Sequence, residues 1–229
     1  MIGYGQESFI DYIPTSSGKI HHETYYSFSY LDEHELSEWT IYLSTKARLL
    51  SPKIARRNNF KQNPNFKTTL NPNDYKGSGY DRGHLVPAAD MAFDSVAMAE
   101  NFYYTNTAPQ TKSLNRGIWR KVENRVRALT LEYDSLIIIT GCVLTDSSYS
   151  YPHKMGEISV PAYYYKIVAD IKRNTSFGFV IPNYIKPEEK KLYTKPIDYV
   201  FSIDQIEELT GIDFFYLLPD DEERDLEDK

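Results

Sequence analysis

Nine consecutive residues, Gly79-Tyr80-Asp81-Arg82-Gly83-His84-Leu85-Val86-Pro87, resist explanation as ordinary core, turn or surface. They place a cation, a residue without a side chain and a titratable imidazole almost side by side. An imidazole is unprotonated near neutral pH and still a useful base. A planar guanidinium matches the oxygens of a phosphate or carboxylate better than an ammonium does. The set suits chemistry at an anionic centre. Further along, Asn106, Asn115, Trp119 and Glu123 fall where a strand, a turn and a helix could carry polar groups back towards His84.

The elements that must position these groups follow from pattern. Tyr26, Phe28 and Tyr30 alternate with smaller residues, and Trp39, Ile41 and Leu43 repeat that period of two, so an antiparallel pair of strands is expected. His21 and His22 precede the first of them and would point to opposite faces, which argues against a shared metal ion. Asn58 to Asp74, rich in Asn and Pro, reads as a long loop. Asp94 or Ser95 caps a short helix running to Asn101. Phe102 to Thr105 reads as a short strand ended by Thr107-Ala108-Pro109. The spacing of Trp119, Val122, Val126 and Leu129 predicts a helix over 114–130 with Arg116, Arg120, Lys121, Arg125 and Arg127 on its outer faces. On such a helix Glu123 lies eight residues after Asn115, about two turns along and about 80° around. Direct ligation of one ion by both is therefore awkward. Glu123 could instead pair with Arg127 at i+4, Asn115 could serve as an N-cap, and Trp119 is better suited to packing the helix on a sheet than to stacking on a base.

Leu136 to Leu144 is a continuous apolar run of strand length, as for a central strand covered on both faces. Further strands are expected over 158–171 and 176–181. A helix begins after Ser202, with Gln205 completing a capping box, and stops at Gly211. Strands and helices without regular alternation favour an α+β fold with a mostly antiparallel central sheet flanked by helices. One domain over 1–229 is the better reading, with 1–18 an irregular arm and 220–229 an acidic, mobile tail.

A chain of 229 residues with 41% hydrophobic and 25% charged residues can bury a full core without metal or disulfide staples. No apolar run is long enough to span a bilayer, and Met1-Ile2-Gly3-Tyr4 lacks the start of a signal peptide. Cys142, the single cysteine, reads as a small buried hydrophobe. The net charge of −6 argues against a nucleic-acid partner until its distribution is considered. Seven acids and one arginine fall between Asp220 and Asp228, whereas Trp39 to Asn73 has no acid and carries Lys46, Arg48, Lys53, Arg56, Arg57, Lys61 and Lys67. That segment is a candidate polyanion surface, with a solvated loop as the alternative.

Asp81-Arg82-Gly83-His84, followed in order by Asn106, Pro109, Gln110, Asn115, Gly117, Trp119 and Glu123, resembles the DNA/RNA non-specific endonucleases of the ββα-metal, or His-Me finger, superfamily. The resemblance is densest over 75–127 and reaches more weakly to Thr210-Gly211-Ile212-Asp213-Phe214-Phe215. It implies an embedded ββα-metal motif, with His84 as the general base acting on water and Asn106 or a backbone carbonyl holding the other ring nitrogen. It makes Asn115 the ligand of one Mg²⁺, replaceable by Mn²⁺, and Glu123 the holder of that ion's water shell. Arg82 would pair with the scissile phosphate. Phosphate contacts are also expected from one of Arg56 and Arg57, and from Asn106, Arg116 and Arg120. Asp81 is expected to orient its neighbours, and Gly83 to allow close approach of the phosphate or a backbone angle barred to other residues. His153 matches no role and defaults to a surface loop.

The implied activity is sugar-non-specific cleavage of DNA and RNA, leaving 5′-phosphates, through phosphate contacts that carry no sequence information. Such an enzyme endangers its own cell, so export, organellar confinement or a protein inhibitor is expected. A secreted or periplasmic location is favoured over a mitochondrial one. Family members are often homodimers, but no stripe in the sequence marks an interface, and no membrane partner is expected. Two other readings stay open: a catalytically silent nucleic-acid binder, and a phosphodiesterase for small nucleotides.

Overall fold

The computed structural model describes residues 9–71, 73–144, 149–184 and 194–227. Its centre is a seven-stranded antiparallel sheet, and the fold is α+β, as expected. The strands in chain order are β1 (Lys19–His22), β2 (Tyr26–Leu31), β3 (Leu36–Thr45), β4 (Tyr80–His84), β5 (Thr107–Thr111), β6 (Ser135–Cys142), β7 (Tyr149–Met155), β8 (Ile158–Pro161), β9 (Tyr163–Asp170), β10 (Thr175–Pro182) and β11 (Val200–Phe201). The helices are α1 (Lys46–Leu50), α2 (Ser95–Glu100), α3 (Arg120–Tyr133), α4 (Ile203–Thr210) and α5 (Asp220–Glu227). In the large sheet the order is β1-β2-β3-β6-β9-β10-β11, so the apolar run around Ile138 becomes its middle strand. Side chains of a strand alternate between faces. Ile137 and Ile139 enter one apolar cluster and Leu136 and Ile138 another, which is why the run reads as apolar throughout.

One face is covered by α4, α5, Phe214, Phe215 and the start of the chain, where Phe9 and Ile13 are buried. The other carries α3 and a separate two-stranded ribbon, β4 paired with β5. This second face positions the residues singled out above. Among the described residues no helix is long and apolar enough to cross a membrane.

Several local expectations agree with the structure. The carboxylate of Asp94 accepts from Val96 N and Ala97 N at 2.7 and 3.0 Å, Ser202 and Gln205 form the capping box, and Gly211 ends α4 at φ 70°. Others are corrected. The strand expected over Phe102–Thr105 lies later, at β5, after a 3₁₀ turn at Tyr104–Asn106. Pro109 is accommodated because β5 pairs on one side only. The strand expected over 158–171 is divided into β8 and β9. The acidic stretch expected to be a mobile tail forms α5, with Leu226 buried and its carbonyl accepting from Ser176 Oγ at 2.8 Å. Its four leading acids, Asp220 to Glu223, suit the positive end of a helix. His153 lies in β7 rather than a loop, and its side chain is outside the described residues.

Candidate active site

His84 is the last residue of β4, opposite Thr107 of β5, and its ring packs between Phe60 and Phe102 with centroids 5.1 and 4.9 Å away. The residue is only 8% exposed. Burial, and secondarily the positive charge of Arg56, push the imidazole down to about 3, so it is neutral at physiological pH. Its Nε2 is buried without a hydrogen-bond partner.

The side chain opens on a pocket of about 410 Å³ lined by Arg56, Arg82, His84, Asn115, Arg116, Arg120, Glu123, Asn124 and Arg127, with Pro87 to Ala89 on one wall. A second pocket of about 400 Å³ shares Arg56, Arg82, Asn115 and Arg116, and adds Phe60, Tyr75, Tyr80 and Asp81. The two polar pockets thus meet along a row of arginines. Arg56 and Arg57 are separated here by position. Arg56 lines both pockets, its guanidinium 5.6 Å from the Phe102 ring and its Nε donating to Asn58 Oδ1 at 2.7 Å, whereas Arg57 is exposed and lines neither. Arg82 lies over Phe60 and Tyr75, at 5.1 and 5.7 Å.

Asn115 reaches the site from an unexpected local geometry. Leu114–Trp119 is a π-helical turn broken at Gly117 (φ −106°, ψ −110°), and α3 begins only at Arg120. Asn115 and Glu123 are therefore not on one straight helix, and the spacing argument that assumed one is replaced by a kink. Asn115 Nδ2 donates to Asp81 Oδ2 at 3.0 Å. That contact fixes the amide's orientation and leaves its oxygen as the atom with lone pairs for a cation. The same Asp81 carboxylate receives Arg116 through Nε at 2.8 Å and Nη2 at 2.7 Å. Those donors, Arg116 first, hold its carboxyl below the usual range despite some burial. Arg120 stands exposed at the rim.

Glu123 is half-buried on the pocket wall and does not pair with Arg127. Arg127 donates to Asp90 Oδ1 and to Asn124 Oδ1, both at 2.7 Å, and Asp90 also accepts from Tyr42 Oη at 2.6 Å. Burial pushes the Glu123 carboxyl up, and Lys166 is the strongest influence opposing it. Lys166 was not singled out from the sequence, although a charge in the apolar run Tyr163 to Ala169 is itself a signal. Asp90 was missed for lack of any such signal.

One assignment is overturned and another is narrowed. Asn106 neither touches His84's ring nor faces the pocket: it is fully buried, its Oδ1 accepting from Val86 N at 2.8 Å and its Nδ2 donating to Val86 O and Asn101 O at 3.1 and 3.0 Å. It staples the chain leaving His84, and a substrate contact would break that network. Of the two roles expected of Gly83, the special backbone angle falls away, since it lies in extended strand, where a Cβ would meet the Gln110 side chain at 2.2 Å. Trp119, as expected, is core, 1% exposed and edge-on to Tyr164 at 5.7 Å.

Residues 5–221 match the DNA/RNA non-specific endonuclease family. The chain belongs to it. Against the human mitochondrial nuclease EXOG it is 28% identical, over 84% of this chain and 55% of that protein. Nuclease C1 of Cunninghamella echinulata var. echinulata is 27% identical over 83% of this chain and 80% of its own length. A nuclease of Nostoc sp. is 31% identical over 82% and 70%. The chain thus spans little more than half the length of its human relative. A solved EndoG/EndoGI complex, described as revealing the mechanism of EndoG inhibition, has the same fold, with a TM-score of 0.75 over 88% of this chain and 87% of that one at 23% identity. Several relatives are named as mitochondrial, so the names do not favour export over an organelle.

Proposed function

We propose that this endonuclease-family chain hydrolyses phosphodiester bonds of DNA and RNA without regard to the sugar, with His84 as general base and one Mg²⁺ at Asn115, leaving 5′-phosphates. The observation that carries the reading is a neutral imidazole whose Nε2 lacks a protein partner, in one pocket with Asn115, Glu123, Arg56 and Arg82.

The donor set fits a hard cation that keeps most of its waters. Asn115 Oδ1 would hold it directly, with Asp81 steering the amide, and Glu123 would accept hydrogen bonds from the ion's waters. Such an ion supplies stabilisation of the charge developing on the leaving 3′ oxygen. His84 takes the proton of the attacking water, and a phosphodiester anion in the pocket raises its basicity by stabilising the imidazolium. Arg56 and Arg82 hold the phosphate and the added charge of the transition state. Departure of the 3′ oxygen leaves the phosphate on the 5′ side. The row of arginines recognises backbone alone, which accounts for indifference to sugar and sequence.

The test is cleavage of supercoiled plasmid and of RNA in Mg²⁺, with and without EDTA, by the wild type and His84→Ala. Both polymers should be cut to 5′-phosphorylated products only by the wild type with metal. Undiminished cleavage by His84→Ala would remove the base, and cleavage confined to dinucleotides would redirect the reading to a small-nucleotide phosphodiesterase.

A further inference from the structure

We propose that an apolar pocket on the far flank of α3 is a subsite for one unpaired base of the nucleic acid, with Arg125 and Lys195 meeting the adjoining phosphates. The inference rests on the reading of nucleic acid as the substrate. The pocket has a volume of about 390 Å³, its walls are Phe177, Phe179, Pro196, Ile197 and Val200, and the two cations stand beside them. It forms where β10 meets β11 and the 3₁₀ turn Pro196–Tyr199. Phe177 and Phe179 alternate with Gly178, so both turn to the sheet face that carries α3, their rings nearly perpendicular with centroids 5.4 Å apart. On the open side Ile197 is 71% exposed and Val200 41%. An apolar concavity that opens to water in this way has the form of a binding site.

What the pocket takes follows from its surroundings. Arg125 comes directly after Asn124, yet Asn124 lines the candidate active site and Arg125 this pocket, because successive residues stand about 100° apart around a helix. The two pockets therefore flank one helix, separated by about its width of 10–12 Å, a gap that about three nucleotides cover at duplex spacing. The exposed face of α3 between them carries Arg120 and Lys121, and Lys121 Nζ donates to Thr194 O at 2.9 Å, which ties α3 to the segment entering the turn. The neighbouring anion, Asp198, is turned onto the backbone N–H groups of Thr194 and Lys195, at 2.9 and 2.8 Å. The rim thus offers cations to phosphates, and the walls offer aromatic and aliphatic surface to a base. Sites that hold single strands without regard to sequence combine these two features. No amide or hydroxyl side chain lines the pocket, so it reads no base edge. A base inside a duplex is already stacked and paired, so single strands gain from the pocket and duplexes do not.

The experiment uses the full chain as wild type, Ile197→Ser and Arg125→Ala, both at exposed positions, with folding checked by circular dichroism. In Mg²⁺, KM for a single strand of about 12 nucleotides should rise about five- to tenfold in either variant, with kcat unchanged. Ile197→Ser should leave KM for a duplex of the same sequence where it was, a difference that a damaged fold would not produce. In EDTA, the ¹³C-methyl signal of Ile197 in the wild type should shift when the single strand is added and stay still with the duplex. An unchanged single-strand KM in both folded variants, or equal rises for strand and duplex in Ile197→Ser, would overturn the subsite. A signal that moves with decanoate and not with the strand would also overturn it and give the pocket to an amphiphilic carboxylate. Cleavage by the wild type separates the two readings: if it cuts DNA and RNA while the variants match it, the subsite alone fails, and if it neither binds nor cuts any nucleic acid, the proposed function fails with it.

Discussion

The two faces of the seven-stranded sheet carry opposite chemistry on the same strands. On β9, Tyr165 and Ile167 join an apolar cluster sealed by α4 and α5, while Lys166 between them faces the pocket side. On β6, Ile137 and Ile139 face the apolar layer, and Thr140 faces the lysine. The first face stabilises by removing apolar surface from water. The second holds Asp90, Arg127, Glu123, Lys166 and a neutral His84 in a setting where every charge needs a partner. Both faces bury apolar residues, and the pocket side has a large cluster of its own that includes Trp119, Tyr164 and Val168; the difference is that this side also sets ionisable groups among them, so apolar burial around the pocket helps offset their desolvation.

The contrast can be broken or sharpened by experiment. On the pocket face, His84→Ala should reduce plasmid cleavage by about 10²–10⁴-fold, far beyond what the space left between Phe60 and Phe102 costs in stability. On the other face, Ile139→Ala should destabilise by about 2–5 kcal/mol in urea unfolding with activity per folded molecule unchanged; if activity collapsed as well, the faces would not be separable. Acid should act through the pocket face. His84 has an ordinary pKa of 6.5 when unfolded and about 3 when folded, so the unfolded chain takes up the proton first. Its contribution is intact above the unfolded value and is lost as pH falls through 6.5 towards 3, amounting to about 2 kcal/mol between pH 7 and 5. Urea midpoints at those two pH values should differ less in His84→Ala than in the wild type. The smallest effect separates neighbours: Arg56→Ala should weaken DNA binding about tenfold and Arg57→Ala less than about twofold, read as KM. Equal effects would place the phosphate outside the two pockets.

Much of this division was legible before the fold. Period-two alternation in β2 and β3, the apolar run of β6 and the cap residues Asp94, Ser202 and Gly211 are local signals, and local physics determines them. The Asp81-Arg82-Gly83-His84 string and Asn115 drew attention by type and order, and the pocket contains them. Glu123 was legible as a site candidate, but its surroundings were not. A helix wheel offers it Arg127, whereas the folded chain gives Arg127 to Asp90 and brings in Lys166, 43 residues further on, over the Trp119 ring one turn before it. Asn106 misled for the same reason: an amide beside an active-site strand looks alike in sequence whether it faces a ligand or staples backbone. Gly117's break and the acidic helix α5 were also out of reach, since each depends on neighbours distant along the chain.

The sequence by itself determined which residue types could do chemistry, which strand is central and to which family the chain compares. Only the tertiary structure decided that Arg56 rather than Arg57 lines the pocket, that Asn106 staples backbone and that the Gln110 side chain lies against Gly83. The reason is physical. Periodicity and capping are set within a few residues, but burial, pairing and the ionisation of a buried group depend on what the fold brings from elsewhere.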